Sequence, residues 1–435
     1  MTNILPPEAL GPDVLIVGAG PAGIAAAVRA HESGARVLIV DNNPKAGGQI
    51  WRGGERVHAP SQSGRWFARL ATTGIPVLTC TQVISAVGSS RTLLVETPDQ
   101  SLELRFRKLV IATGAREVFL PFPGWTLPGV MGVGGLQALA KSGLPVARKS
   151  IVMAGSGPLL LAVAAHLRKT GAHVKLIAEQ ATREVVTQFA FGLLNHPAKV
   201  LQASTLRFSL AGIPYRFGCW VEAAEGNGRV DCLRLRQGQK TWNETCDYAA
   251  VAYGLYPNCE VASLLGCRIQ ETAVVVNEWQ QSSIDHVYCA GECTGIGGVD
   301  LSLIEGEIAG YAACGKYDLA RRLFRKRDNA RRFADKLNKA FALREELRAL
   351  PQTDTLICRC EDVSYGKLKN MPSFRAAKLH TRCGMGPCQG RICGPAAEFL
   401  FGWRTESIRP PVFPARIGSL IIDETACKET APIRQ

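Results

Sequence analysis

The sequence predicts an α/β protein: two dinucleotide-binding βαβ units, then a small, mainly helical C-terminal domain. Three observations carry that expectation. A strand, a glycine turn, a helix and a second strand run from Asp13 to Asp41. A second unit of the same kind runs from Ser150 to Glu179. Five of the fifteen cysteines crowd into the stretch from Cys358 to Cys393. At 435 residues the chain is too long for one core, so two or three domains are expected.

In the first unit, Val14-Leu15-Ile16-Val17 is an apolar run suited to a buried parallel strand. It enters Gly18-Ala19-Gly20-Pro21-Ala22-Gly23, after which an alanine-rich helix runs to Gly34. Gly18 permits the tight turn, Gly20 the approach of a pyrophosphate, and Gly23 close helix–strand packing. The helix N-terminus, with Pro21 and Ala22 in its first turn, offers free N–H groups and a positive dipole end to an anion. Arg36 to Val40 is the second strand, and Asp41 at its end is placed to accept hydrogen bonds from a ribose.

Composition bounds the rest. Hydrophobic content of 46% and charged content of 20% are those of a globular protein. Met1 to Pro12 lacks the basic and apolar regions of a signal peptide. The longest apolar candidate, Ile151 to Ala165, is broken at Gly155-Ser156-Gly157-Pro158, so no transmembrane anchor is expected. A cytoplasmic location with reduced thiols follows as the expectation, with peripheral attachment at the inner face of the membrane as its extension. The net charge of +14 is concentrated: Lys316 to Leu350 holds twelve Lys and Arg against five Asp and Glu. Leu319, Leu323, Phe333, Leu337, Phe341 and Leu347 recur there at near-helical spacing. The segment therefore reads as a solvated connector helix, or as a face for an acidic partner protein. No motif supports nucleic-acid binding.

Further along, Asn42 to Trp51 carries Gly47-Gly48-Gln49 just beyond the ribose-binding strand end. Leu109 to Ala115 is a strand ending in Ala112-Thr113-Gly114, and Pro121-Phe122-Pro123-Gly124 marks a domain crossing. In the second unit Leu160 stands where the third glycine belongs. A leucine there crowds the phosphate turn, so this unit reads as a degenerate scaffold for which NAD(P) is not expected, although Glu179 is still placed to bind ribose. Asp285 to Glu292 is a strand followed by Gly291-Glu292, and a helix from Leu301 to Cys314 comes next. No Cys-x-x-Cys redox pair is evident. His58, His166, His173 and His286 lack partners at catalytic spacing and read as surface or core residues.

Cys358-Arg359-Cys360 and Cys383-Gly384-Met385-Gly386-Pro387-Cys388 form two thiol pairs that can converge on one centre. The glycines expose backbone N–H groups to sulfur. Arg359, Arg382 and Arg391 are placed to offset the negative charge of a four-thiolate cluster. The set Cys358, Cys360, Cys383 and Cys388 reads as [2Fe–2S] ligands, with zinc as the alternative metal. Cys393 reads as a helix-start core residue.

Several of these motifs resemble known families. Gly47-Gly48-Gln49, Ala112-Thr113-Gly114 and Gly291-Glu292 resemble the glutathione-reductase-like flavoproteins, which carry two Rossmann-like domains. That resemblance implies FAD held by Gly18, Gly20, Pro21, Ala22, Gly23, Asp41, Asn42, Gly48, Gln49, Val83, Thr113, Gly114, Gly291 and Glu292. Glu292 departs from the usual Gly-Asp ending by one methylene. Cys383 to Gly390 resembles the bacterioferritin-associated-ferredoxin-like [2Fe–2S] domain. The combination is similar to the α subunits of heteromeric FAD-dependent amino-acid and opine dehydrogenases. It implies a FAD-binding domain over 1–124 and 263–315, a degenerate nicotinamide-type domain over 125–262, a basic connector helix over 316–350, and the iron–sulfur domain and tail over 351–435. It implies an electron-transfer subunit whose substrate is oxidised at its C–N bond on a partner flavoprotein β subunit of amino-acid-oxidase type. A small ferredoxin-like γ subunit, FMN at a subunit interface, and a quinone or carrier as electron acceptor are further implications. Two other readings stay open: a self-contained NAD(P)H-dependent reductase, and a non-catalytic iron–sulfur partner or sensor.

Overall fold

The computed structural model describes residues 11–52, 61–86, 91–193, 197–404 and 408–421. Its first sheet is parallel throughout, in the order Val287–Cys289, Lys108–Ile111, Val14–Val17, Val37–Val40, Val77–Leu78. Val14–Val17 and Val37–Val40 are buried at every position, as a central parallel strand with both faces covered must be. The register aligns Val17 with Val40 and with Ile111, and Ile111 with Cys289. The segments after these four strands therefore leave the sheet along one edge, where open α/β sheets bind ligands.

Helix Pro21–Glu32 covers this sheet and packs against helix Gly298–Ala313. Both helices meet through small residues. A Cβ on Gly310 would stand 2.4 Å from the Ala26 carbonyl oxygen, so the two backbones touch there. The sequence expectation began the later helix at Leu301; it starts at Gly298, one turn earlier.

The second parallel sheet runs Tyr215–Phe217, His173–Glu179, Ser150–Gly155, Tyr248–Ala252, Val130–Gly132. Helix Pro158–Lys169 packs on it, with Leu160 fully buried among Val133, Leu136, Ile151 and Met153. A ribbon of Leu255–Pro257 against Ala115–Glu117 crosses between the two sheets. Each sheet is accompanied by a three-stranded antiparallel meander, Gln82–Ala86 to Ser101–Arg105 and Cys219–Glu225 to Lys240–Thr245.

The basic segment is not one helix. It forms Tyr317–Arg321, Phe324–Ala340 and a 3-10 turn Glu345–Ala349. It is not uniformly solvated either: Arg327 is buried, its guanidinium donating to the Glu278 carbonyl. Beyond it lie the short hairpin Leu356–Cys358/Val363–Ser364 and helices Phe374–Thr381 and Cys393–Phe401. No helix among the described residues is long and apolar enough to cross a membrane.

The backbone contact at Gly310 gives a direct test. Gly310→Val forces the two helices apart and should lower stability by about 1–3 kcal/mol, read as a shift of the guanidinium unfolding midpoint.

Candidate functional site

The edge of the first sheet is built around the glycine turn. Gly18 has φ of 107°, and a Cβ there would lie 2.3 Å from the Ala112 carbonyl oxygen. A Cβ on Gly23 would lie 1.8 Å from the Gly18 carbonyl oxygen. Both positions are closed to any side chain. Gly20 differs: its nearest neighbour would be the Gly48 Cα at 4.0 Å, and its φ of −78° is ordinary. The space in front of Gly20 is thus an open cradle at a helix N-terminus that no side chain caps.

Asp41 sits beneath this cradle. One carboxylate oxygen accepts from the Ala19 N–H at 2.6 Å, the other from the Asn43 N–H at 2.7 Å and its side-chain amide at 2.8 Å. The carboxylate holds the turn, and a ribose would use its remaining lone pairs. Asn42 and Gln49 are exposed beside it, and Val83 is buried in the Gln82–Ala86 strand, paired with Val95. Thr113 and Gly114 are pinned from outside the sheet. The Thr113 hydroxyl donates to the Asn258 carbonyl at 2.6 Å, and the Asn258 amides donate to the Thr113 and Gly114 carbonyls at 2.9 Å. Gly291 packs against Ala22, so the Gly291-Glu292 turn lies beside the cradle. Burial raises the pKa of the Glu292 carboxyl, against the opposing pull of the Gly298 N–H. Glu305, buried on the following helix, accepts from the Gly291 N–H at 3.1 Å and the Thr294 hydroxyl at 2.9 Å. Its other oxygen accepts from Arg331 at 2.7 Å.

The second unit has the same turn and a different occupant. Glu179 accepts from the Gly157 and Ala181 N–H groups at 2.8 and 2.9 Å, as Asp41 does in the first unit. Glu179 is fully buried, which pushes its carboxyl up to about 7. The chain itself covers the turn. Ser156 Oγ donates to the Phe341 carbonyl at 2.9 Å. The Gln180 side chain donates to the Ala342 carbonyl at 3.0 Å and accepts from the Arg344 N–H at 3.2 Å. The Phe341 ring stands over Gly157 and packs edge-on against Phe189. Three hydrogen bonds and a half-buried ring make opening this cover cost roughly 2–5 kcal/mol. That is a penalty of roughly 30-fold to several-thousand-fold on any nucleotide that must displace it.

The cysteines come together in the third region. The thiols of Cys358, Cys383 and Cys393 lie within 4.8 Å of one another, and the Gly384 N–H donates to Cys358 Sγ at 3.5 Å. Cys388 lies against Cys393 and Cys360. Cys393, expected from the sequence as a core residue at a helix start, is the first residue of helix Cys393–Phe401 and also a member of the group. Its spacing from Cys388, with four residues between, was the available signal. Cys360 is exposed at the rim. Neighbouring thiols hold Cys358 well below the ordinary thiol range, and Cys388 is drawn down to about 5, first by Cys393. Three buried thiols within 4.8 Å of one another, with Cys388 and Cys360 beside them, suit a metal or iron–sulfur centre. Arg359, Cys360 and Ile392 line a cavity of about 520 Å³ together with Trp125, Met131 and Leu139. Of the arginines expected to balance the cluster, Arg382 pairs with Glu361 at 2.8 Å and Arg391 lies 3.6 Å from Glu260. Elsewhere, every described cysteine is free. His58 lies outside the described residues; His166 stands in the last turn of helix Pro158–Lys169, His173 opens strand His173–Glu179 and His286 precedes strand Val287–Cys289, and burial lowers the pKa of His166 and His286.

Two glycine turns on parallel sheets, linked by a ribbon, define a fold shared with known enzymes. The model of the pyridine nucleotide-disulphide oxidoreductases matches residues 12–314. The chain belongs to that family. It is a FAD-dependent oxidoreductase, and the open cradle at Gly20 fits the pyrophosphate of such a dinucleotide. This family member is 30% identical to the HcnB component of hydrogen cyanide synthase from Pseudomonas protegens, over 87% of its own chain and 89% of the relative. It is 31% identical to one of the subunits of opine oxidase from Rhizobium meliloti, over 94% and 98% of the two chains. Among solved structures, L-proline dehydrogenase from P. horikoshii superposes with a TM-score of 0.67 over 95% of this chain and 80% of the other, at 20% identity, which is a likeness of fold.

Two substitutions separate folding from cofactor retention. Gly20→Val fills the open cradle without a backbone clash, so the purified protein should lose its flavin absorbance while keeping its circular dichroism. Colorimetric iron assay of the wild type and Cys393→Ser tests whether the thiol group holds iron through Cys393: the expected outcome is iron in the wild type and less in the variant, and equal iron in both would exclude Cys393 as a ligand.

Proposed function

We propose that this chain is the electron-transferring component of a multi-subunit dehydrogenase acting on the C–N bond of an amino-acid, imino-acid or opine substrate. The observation that carries the reading is the covered second nucleotide turn. With Phe341 to Arg344 lying across Ser156, Gly157 and Gln180, the usual entry for a nicotinamide donor is occupied by the chain's own backbone. Electrons therefore have to arrive from elsewhere, and the relatives named as subunits of hydrogen cyanide synthase and opine oxidase point to a partner protein.

In this reading FAD supplies the exchange between two-electron and one-electron chemistry. Gly18, Gly20, Gly23 and Asp41 hold its pyrophosphate and adenosine end, Gly48 and Gln49 flank it, and Thr113, Gly114 and Glu292 border its other end. The cysteine group holds a [2Fe–2S] cluster drawn from Cys358, Cys360, Cys383, Cys388 and Cys393. Residues 125–262 form a nicotinamide-type domain retained as scaffold, and 351–435 comprise the cluster domain and a C-terminal tail. The substrate is oxidised on a flavoprotein partner of amino-acid-oxidase type.

Affinity purification of the tagged chain from its native host, followed by extraction of cofactors, tests this. A second flavoprotein should co-purify, and the complex should contain flavin, iron and labile sulfide. A lone homo-oligomer that oxidises an amine substrate contradicts the reading.

A further inference from the structure

The Thr113–Gly114 turn and the cysteine loop belong to different regions of the chain, yet a continuous polar bridge joins them. Arg116, on the crossing ribbon, donates through one Nη atom to Asn258 Oδ1 and to Glu260 Oε1, both at 2.6 Å. Asn258 is the residue that pins Thr113 and Gly114. Glu260 Oε1 also faces Arg391 Nε at 3.6 Å. Arg391 belongs to the cysteine loop: its guanidinium donates to the Cys388 carbonyl at 3.3 Å and to the Val412 carbonyl at 2.5 Å, and stacks 4.0 Å over Phe413. A parallel link runs from Tyr256, on the same ribbon, whose hydroxyl donates to Glu398 of helix Cys393–Phe401 at 2.9 Å.

The charge balance of this bridge is uneven. One carboxylate serves two guanidiniums, and the side chains of Glu260, Arg116 and Arg391 are only 12%, 20% and 16% exposed. The Nε atoms of Arg116 and Arg391 are buried with no hydrogen-bond partner. Two cations held on one anion at low exposure leave a net positive charge beside the cysteine loop, where screening by water is weak. Neither arginine can relieve this by losing its proton.

We propose that Glu260 is a positioning residue for electron transfer: it locks Arg391 of the cysteine loop to Arg116 and Asn258 of the flavin-side turn, and it limits the positive charge felt by the cluster. The inference rests on the functional reading above. Two consequences have opposite electrostatic sign. Removing the carboxylate leaves both guanidiniums uncompensated, which favours the more negative reduced cluster and raises its potential. Removing the Arg391 charge does the reverse.

The test is a redox titration of the intact complex, read by electron paramagnetic resonance of the cluster, for the wild type, Glu260→Gln and Arg391→Gln. Glu260→Gln should shift the cluster midpoint upward and slow the passage of electrons from flavin to cluster in stopped-flow traces. Arg391→Gln should shift the midpoint downward. If Glu260→Gln does not accumulate as folded protein, the Arg391→Gln shift decides alone. Unchanged potentials with a normal wild-type cluster signal overturn the bridge and leave the functional reading standing. A reduced wild-type complex with no cluster signal overturns that reading, and the role of Glu260 with it.

Discussion

The parallel register of the first sheet is the constraint on which the rest depends. Because Val17, Val40, Ile111 and Cys289 end level with one another, four connecting segments meet at one edge. Gly18 to Gly23, Asp41, Thr113-Gly114 and Gly291-Glu292 each come from a different segment. None would be near the others without that register. Backbone contact makes the arrangement stiff: the Gly18 turn rests on the Ala112 carbonyl, and the helix after Gly297 rests on the alanine-rich helix through Gly310. Rigid placement of backbone donors is what an anion site requires, since flexible donors would spend binding energy on ordering themselves.

The basic segment after this core has more than one task. Arg331 reaches the buried Glu305, which holds the Gly291-Glu292 turn of the first site. Ten residues later Phe341 lies across the turn of the second. The chain then runs through Leu347, buried in the second core, to Cys358. One stretch thus supports the open nucleotide turn, covers the other, and delivers the cysteine domain to its seat. Positive charge in the segment is partly structural, which composition alone did not reveal.

Sequence legibility followed locality. The glycine turns, the strand-end acids and the loss of the third glycine at Leu160 are local patterns tied to backbone geometry, and the structure places them in the expected elements. The cysteine block was legible as a group because thiols at short spacing on glycine-rich turns have few other uses. Cys393 is the buried core residue at a helix start that the sequence predicts, and its thiol also stands beside those of Cys358 and Cys383, a neighbourhood its apolar surroundings did not signal. The cover by Phe341 to Arg344 and the Arg116–Glu260–Arg391 bridge left no local signature. Arg116 and Glu260 stand 144 residues apart, and Ser156 and Phe341 stand 185 apart, so only the tertiary fold brings them together.

The central claim is that electrons enter this chain from a partner protein and not from a nicotinamide nucleotide. Anaerobic stopped-flow mixing of the purified complex with NADH, NADPH or an oxidisable amino-acid substrate tests it most directly. The account predicts that flavin absorbance stays unchanged with either nicotinamide and bleaches with substrate, followed by reduction of the cluster. Rapid bleaching by NADH or NADPH would contradict it.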